Sequence, residues 1–151
     1  KLREFKYKYL MNIIPDNSFL HKCHLVQSSL CDFCTMHPDS IYHMFWECHI
    51  VQGFWSEVKL FLEDKFSKII NLTFQNISFC NIINIKDEDG PIANYIVLLS
   101  KYFIFKNKCN KSVPLIRQFK EYINYRKKLE HTIAIFKDKV EVCHRKWQKI
   151  T

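Results

Sequence analysis

Glycine is scarce in this chain. Only Gly53 and Gly90 occur among its 151 residues, where an average usage of about 7% would supply roughly ten. Tight hairpins, β-bulges and phosphate-binding loops all depend on glycine. The shortage therefore disfavours a fold of many short strands and also a Walker or Rossmann nucleotide site. Helices remain as the main structural material.

Long hydrophobic runs are also missing. The apolar run at residues 95–105 is interrupted by Lys101, and it is far shorter than the roughly 20 residues that a membrane-spanning helix requires. No stretch shows the order of a signal peptide, in which a basic start precedes an apolar run and a small-residue cleavage site. We therefore expect no membrane partner.

The seven cysteines are odd in number, so they cannot all pair with one another within the chain. Without a secretory signal, we expect a reducing compartment, where clustered cysteines bind metal or stay free. The cysteines thus point to metal binding rather than to a disulfide framework.

Positive charge dominates the chain. It has 23 lysines and arginines against 15 aspartates and glutamates, which gives a net charge of +8 and a pI near 9.1. Such a field favours phosphate-bearing partners or anionic membranes. A soluble protein that happens to be basic has the same composition, so charge alone does not identify the partner.

The spacing of apolar residues predicts a mainly α-helical fold. Asp39 or Ser40 is expected to cap the long amphipathic helix that carries His43, and the last helix is either continuous or interrupted near His131. From the apolar spacing and the start and stop signals we expect helices over residues 1–14, 19–26, 40–66, 92–106 and 115–149. The last of these carries a 3-4-3-4 apolar seam made of Ile133, Phe136, Val140, Cys143 and Trp147.

The composition divides the chain into three parts. Residues 1–69 form a zinc-knuckle helical region, residues 70–90 an Asn-rich connector, and residues 91–151 a C-terminal helical region. The connector loses helical periodicity, and its β-branched residues permit one short strand. We expect a loop there.

Two pairs of potential metal ligands lie close together in the first part. Cys31 and Cys34 form a Cys-x2-Cys turn, and His43 and Cys48 follow after eight residues with four residues between them. A structural zinc ion takes four thiolate or imidazole ligands in a tetrahedron, and zinc sites use both of these spacings. The sequence therefore predicts a helical domain with one Cys-Cys-His-Cys zinc knuckle. Positions five apart on an ideal helix point about 140° apart, so we expect the helix to be tightened or broken just before Cys48.

The sequence also contains other cysteines and histidines that could serve as ligands, and these cysteines could instead be core residues. Core cysteines are common in reducing compartments, but they do not explain two correctly spaced pairs within residues 31–48. His37 and His49 are close enough to compete as ligands, and His37 is the stronger rival because it lies in a loop. His21, Cys23 and His24 lack a partner pair. Four protein ligands leave no position for water, so we expect a structural ion rather than a hydrolytic one.

Several short motifs of the N-terminal half form a recognisable set. They are Lys8-Tyr9-Leu10, Phe19-Leu20, the LCDFC knuckle at residues 30–34, His43 with the following MFWEC, and Phe54-Trp55. With these motifs the chain resembles the zinc-binding segment found after the polymerase in reverse transcriptases of non-LTR (LINE-type) retrotransposons. Residues 95–109 and 133–150 resemble the helices that close the same open reading frame, so the resemblance covers nearly the whole chain.

The resemblance implies a non-catalytic, C-terminal portion of a larger protein. In that family an endonuclease and a reverse transcriptase lie upstream, and these domains would be the partners of this chain. The polymerase's Tyr/Phe-x-Asp-Asp motif is absent from the sequence. The implied task is to grip template RNA or target DNA, or both, during target-primed reverse transcription, in the nucleus and the cytoplasm.

Basic residues that recur beside aromatic residues are the candidate nucleic-acid contacts. Phosphate contacts give affinity without sequence choice, and exposed aromatic rings stack on unpaired bases. We expect Tyr7, Tyr122 and Tyr125 to be exposed, although the run at residues 125–128 is equally typical of a solvated helix face. The ten basic candidates are Arg3, Lys6, Lys8, Lys101, Lys106, Arg126, Lys127, Lys128, Arg145 and Lys146, with Lys108, Lys120 and Lys149 beside them.

Two other functions stay open. A zinc-stabilised docking module would use the knuckle helix and the apolar seam to bind the polymerase or a host factor. A nuclease would need an acidic-acidic-lysine constellation on a predicted strand, and none is visible in the sequence.

Overall fold

Helices make up most of the protein, as the apolar spacing predicts. The computed structural model describes residues 1–82, 85 and 87–150, and within them there is no β-strand. No helix in this part of the chain combines the length and the hydropathy needed to cross a bilayer. The α-helices in chain order are α1 (Leu2–Leu10), α2 (Asn17–Lys22), α3 (His49–Phe66), α4 (Phe74–Phe79), α5 (Gly90–Cys109), α6 (Ile116–Phe136) and α7 (Val140–Trp147).

Three shorter helical turns complete the described fold. A π-helical turn, His43–Glu47, lies directly before α3. The 3₁₀ turns Asp87–Asp89 and Gln148–Ile150 lie before α5 and after α7. The helix expected over residues 40–66 is therefore divided between the π-helical turn and α3.

Polar side chains cap the N-terminal ends of the short helices α2 and α4. The Asp16 carboxylate accepts a hydrogen bond from the Phe19 backbone N–H at 2.8 Å and caps α2. The Thr73 hydroxyl accepts one from the Asn76 backbone N–H at 3.2 Å and caps α4. Each cap satisfies one of the backbone donors that a helix leaves unpaired in its first turn.

The shortage of glycine affects the C-terminal ends of the helices. Left-handed backbone at the end of a helix usually falls on glycine, because a Cβ costs about 1 kcal/mol or more there. Here residues with side chains adopt it after each of α1 to α6, and local backbone hydrogen bonds close most of these turns, such as that from the Ile13 N–H to the Lys8 carbonyl at 3.0 Å. These residues are Asn12, His24, Ser67, Cys80, Lys111 and Asp138, with φ between 50° and 56°.

An aromatic cluster joins the three long helices. The ring centroid of Phe54 on α3 lies 5.9 Å from that of Phe103 on α5 and 5.4 Å from that of Phe119 on α6. Phe103 and Phe119 are 5.3 Å apart. All three residues are buried, so the cluster contributes both apolar burial and edge-to-face ring contacts to the centre of the fold.

The connector contains a helix and contributes to the same core. The expectation of a loop is wrong for residues 74–79, which form α4. Ile70, Ile77 and Ile82 are almost completely buried within the core that the long helices share. Helical periodicity is hard to detect here because α4 has only six residues and its sequence is rich in asparagine. The proposed division at residues 69 and 90 stays a prediction.

The C-terminal seam is interrupted. The chain turns after Phe136, with Asp138 in left-handed backbone, and α7 begins at Val140. The expected seam at residues 133–147 is therefore divided between α6 and α7, and the helix break lies several residues beyond His131 rather than near it. Cys143 and Trp147 are buried against the core, whereas Phe136 is 86% exposed.

A buried ionic cluster connects α5 to the N-terminal loops. The Lys108 ammonium lies 2.9 Å from an Asp39 oxygen and 3.1 Å from an Asp32 oxygen, and it donates to the Asn17 side-chain carbonyl at 2.8 Å. Asp39 also accepts from the Asn17 backbone N–H at 2.8 Å. Lys108, named beside the candidate nucleic-acid contacts, is therefore an internal cation.

We expect Lys108→Met to lower the free energy of unfolding by about 3 kcal/mol, because it leaves the buried Asp39 carboxylate without its cation. Lys106→Met is the matched control, since Lys106 lies two residues earlier on α5 and is exposed. Urea denaturation followed by circular dichroism measures both. Equal effects of the two substitutions would show that the buried cluster does not stabilise the fold.

Candidate metal centre and basic surfaces

Four side chains from the knuckle segment converge on one point. The ligand atoms of Cys31, Cys34, His43 and Cys48 all lie within 4.8 Å of one another, and all four residues are buried. Zinc–sulfur bonds of about 2.3 Å in a tetrahedron place the ligand atoms about 3.8 Å apart. The cluster therefore has the donors and the dimensions to hold one metal ion, as the two spacings predict.

A tight turn brings the first two thiols together. The Thr35 backbone N–H donates to the Cys31 carbonyl at 2.9 Å, and Thr35 itself has left-handed backbone with φ of 55°. Within the turn, the Phe33 backbone N–H points at the Cys31 sulfur at 3.4 Å. The backbone of the turn thus orients the Cys31 sulfur without help from a metal ion.

The π-helical turn places the other two ligands. The Cys48 backbone N–H donates to the His43 carbonyl at 2.9 Å, which is the i→i+5 bond of a π-helix. Cys48 then leaves helical geometry with ψ of 125°, and α3 begins at His49. The predicted break is confirmed and falls at Cys48 itself. The helix before it is widened rather than tightened, because one wide turn brings residues five apart to the same side.

Two side chains of α3 satisfy the carbonyls that the break leaves unpaired. The Trp55 indole N–H donates to the Phe45 carbonyl at 2.8 Å, and the Gln52 amide donates to the Trp46 carbonyl at 2.6 Å. Buried carbonyls without partners cost about 1–3 kcal/mol each. These bonds therefore stabilise the irregular turn that carries His43 and Cys48.

His43 has one ring nitrogen facing the cluster and one facing outward. Its Nε2 lies 3.3 Å from the Cys34 sulfur, and its Nδ1 lies 3.2 Å from a Glu47 carboxylate oxygen. A carboxylate on the far nitrogen of a ligating histidine orients the ring and fixes its tautomer. This arrangement assigns Nε2 as the nitrogen available to a metal.

The three thiols ionise very differently. Burial raises the pKa of Cys31 to about 12 and also raises that of Cys48. Burial acts in the same direction on Cys34, but backbone hydrogen bonds and the side chains of His37 and His43 outweigh it and lower that pKa to about 5. Thiolates gathered this closely are stabilised by a bound cation, which is the form in which cysteine ligates metals.

The competing histidines lie outside the cluster. His37 and His49 are both exposed, and neither belongs to the group of converging donors. His37 contacts the site from outside, with its ring centroid 5.6 Å from that of His43. His21, Cys23 and His24 are exposed as well.

No protein-family model, curated protein or solved structure matches the chain.

The basic candidates fall into several environments. Lys8 forms an ion pair with Glu4 at 2.7 Å on α1, and the ammonium of Lys106 lies 5.1 Å from the ring centroid of Tyr122. Lys127 is half-buried on α6. The exposed candidates are Arg3, Lys6, Lys106, Lys128, Arg145 and Lys146.

Lys101 is buried rather than exposed. Only 2% of it is accessible, and its ammonium donates to the Ser78 carbonyl at 2.9 Å. The same ammonium lies 3.9 Å from the ring centroid of Tyr9. Burial lowers the pKa of Lys101. In this structure Lys101 is therefore a packing residue between α1 and α5 and does not reach the surface.

Glu130 forms ion pairs with Arg126 and Lys146 inside the protein. Its carboxylate lies 2.7 Å from the Lys146 ammonium and 3.5 Å from the Arg126 guanidinium. It also accepts from the Trp147 indole at 2.9 Å and from the Tyr95 hydroxyl at 2.5 Å. These bonds join α5, α6 and α7, so two of the basic candidates are partly used in holding the helices together.

Two of the three tyrosines expected at the surface are exposed, and the third is half-buried. Tyr7 and Tyr125 are 59% and 60% exposed. Tyr122 is half-buried, with its ring stacked at 5.8 Å on Phe103. Sequence periodicity could not separate Tyr122 from Tyr125, because only the packing of α6 on α5 decides which one is covered.

We expect Glu130→Gln to lower the free energy of unfolding by about 1–3 kcal/mol at pH 7, because it removes charge-assisted hydrogen bonds that join three helices. Burial acts to raise the pKa of Glu130, but Lys146, Tyr95 and Trp147 outweigh it and lower that pKa. The stabilisation is therefore present above the unfolded pKa of about 4.3 and disappears as pH falls through the lower folded value.

Urea denaturation at pH 7 and at successively lower pH measures this difference between the variant and the natural chain. Glu121→Gln is the control, since Glu121 and its partner Arg117 are both largely exposed on α6. A difference for Glu130→Gln that persists unchanged below pH 3 would contradict the ionic origin of the effect.

We expect the chain to bind one divalent metal ion and Cys48→Ser to weaken that binding by more than about tenfold, since even outer-shell partners contribute that much. Cobalt(II) titration, followed by its visible absorption, reports the number of sulfur ligands. Cys143→Ser is the control, because Cys143 is buried but outside the cluster. Identical titrations of the two variants would exclude Cys48 as a ligand.

Proposed function

We propose that the cluster of Cys31, Cys34, His43 and Cys48 holds a structural zinc ion. Three thiols with one imidazole form a donor set that suits zinc in a tetrahedral site. The ion, when bound, neutralises the thiolates and cross-links the loop to the π-helical turn. The protein supplies all four ligands, so the site contributes to folding rather than to hydrolysis.

The proposed function of the chain is nucleic-acid binding within a LINE-type retrotransposon reverse transcriptase. The observation that carries this proposal is the convergence of the four donors, because they are the residues on which the resemblance to that family rests. The chain would grip template RNA, target DNA or both during target-primed reverse transcription in the nucleus and the cytoplasm. Its partners would include the upstream reverse transcriptase and endonuclease domains.

The distribution of charge supports a phosphate-bearing partner. Residues 116–150, which include α6 and α7, contain ten lysines and arginines against four acidic residues, so they carry +6 of the chain's net charge of +8. A concentration of positive charge on one part of a fold is the electrostatic signature of nucleic-acid binding.

A non-catalytic role follows from the same proposal. The zinc site would be closed, and the polymerase's catalytic motif does not occur in the sequence. Incubation with nicked and intact DNA in the presence of Mg²⁺ tests the nuclease alternative, for which we expect no cleavage.

A protein-docking module is the second candidate, and exposed apolar side chains favour it. Ile133, Phe136 and Val142 are 44%, 86% and 62% exposed, and Ile133 and Val142 line the same small groove between α6 and α7. Such a surface could bind the polymerase or a host factor. Apolar burial depends little on salt, whereas phosphate contacts are strongly salt-dependent.

Binding of labelled RNA and DNA to the metal-loaded chain tests the proposal. We expect affinity to fall by orders of magnitude between roughly 50 and 200 mM salt, because each neutralised phosphate releases counterions. Fluorescence anisotropy across a salt series measures the slope. Absence of binding at 50 mM salt by a folded, zinc-loaded sample would refute nucleic-acid binding and leave the docking module as the better candidate.

A further inference from the structure

A large cleft separates the exposed sides of α6 and α7. Its volume is about 1290 Å³, more than most small-ligand pockets. Lys127, Lys128 and His131 line it from α6, and Glu141, His144 and Arg145 line it from α7. The cleft thus brings together three fixed cations, two histidines and one carboxylate.

The three fixed cations of the cleft have no internal ion-pair partner. Lys127, Lys128 and Arg145 form no salt bridge within the described part of the chain, whereas the neighbouring Arg126 and Lys146 are paired with Glu130. The fold therefore assigns adjacent basic residues to different tasks. Arg126 and Lys146 join the helices, whereas Lys127, Lys128 and Arg145 line the cleft without an internal ion-pair partner.

The two histidines contact each other at the cleft, one from each helix. The ring centroids of His131 and His144 are 5.1 Å apart, with an angle of 31° between the rings. The other titratable and charged groups that line the cleft are Lys127 and Lys128 on α6 and Glu141, Cys143 and Arg145 on α7. A negatively charged ligand favours the charged form of any histidine that it contacts.

We infer that this cleft binds the sugar–phosphate backbone of RNA or DNA and that His131 and His144 take up protons when it does so. The inference rests on the nucleic-acid binding proposed above and names the surface responsible. Phosphates match the three unpaired cations, and histidine is the side chain that gains charge just below neutral pH. Affinity therefore rises as pH falls.

The cleft recognises backbone rather than bases. Trp147 lines the cleft, but it is 1% exposed, so its ring offers no face for stacking. Tyr125, an exposed ring on the same helix, is not among the lining residues. Binding through the fixed cations depends on phosphate charge and tolerates changes of sequence.

The first experiment changes the fixed cations of the cleft. Anisotropy with a labelled single-stranded 20-nucleotide probe of mixed sequence, as RNA and as DNA, compares the natural full chain with Lys127→Gln/Lys128→Gln/Arg145→Gln. Loss of three phosphate contacts reduces the slope of log affinity against log salt by about 2. The control is Lys22→Gln/Lys68→Gln/Lys111→Gln, which removes the same charge from exposed positions outside the cleft.

The second experiment tests the histidines. For the natural chain we expect the salt slope to be steeper at pH 6 than at pH 8 by up to about 1.4, which corresponds to two further phosphate contacts on a single strand. His131→Gln/His144→Gln abolishes this difference. His21→Gln/His24→Gln is the control, since both residues are exposed in the N-terminal part, and it keeps the difference. Circular dichroism and zinc content verify folding at both pH values.

The outcomes separate this inference from the proposed function. If the cleft variant binds as its control does while the natural chain binds nucleic acid, the cleft is the wrong surface and nucleic-acid binding stands. If the two histidine variants respond alike to pH, the proton linkage is wrong. If poly-glutamate displaces the probe as well as unlabelled nucleic acid does at equal charge, the cleft takes acidic polypeptide instead. If the natural chain does not bind at all, the proposed function fails first.

Discussion

The close approach of three sulfur atoms and one imidazole is the constraint on which the N-terminal half depends. Two of these donors come from a tight turn and two from a π-helical turn, so neither piece presents the full set without the other. Burial disfavours ionisation of the Cys31 and Cys48 thiols by raising the pKa of each. A cation at the centre would reverse that preference, and metal binding would then be coupled to local folding.

The surrounding structure compensates for the irregular backbone of the site. Side chains of α3 satisfy the carbonyls left unpaired where the helix breaks at Cys48. The buried Lys108 forms ion pairs with Asp32, which lies within the knuckle turn, and with Asp39, which follows it. Lys108 belongs to α5, which is distant in the sequence, so the C-terminal half contributes directly to the geometry of the N-terminal site.

Basic residues in this protein serve two physical roles that composition does not separate. Lys101 and Lys108 are buried and bonded within the core, and Arg126 and Lys146 connect helices through Glu130. Others remain at the surface with their charge available to a partner. A lysine's long apolar stem allows burial when a carbonyl or carboxylate lies at its end, and that acceptor is supplied by tertiary contacts.

The sequence by itself determined the helical class, the four converging ligand positions and the break at Cys48, because each depends on short-range spacing along the chain. Tertiary structure alone decided where α6 ends, that residues 74–79 form a helix, and which cations are internal. Those outcomes depend on contacts between distant residues, such as Lys108 with Asp39 and Glu130 with Trp147. A local pattern carries no information about such partners, since the free energy that selects them arises only when the helices pack.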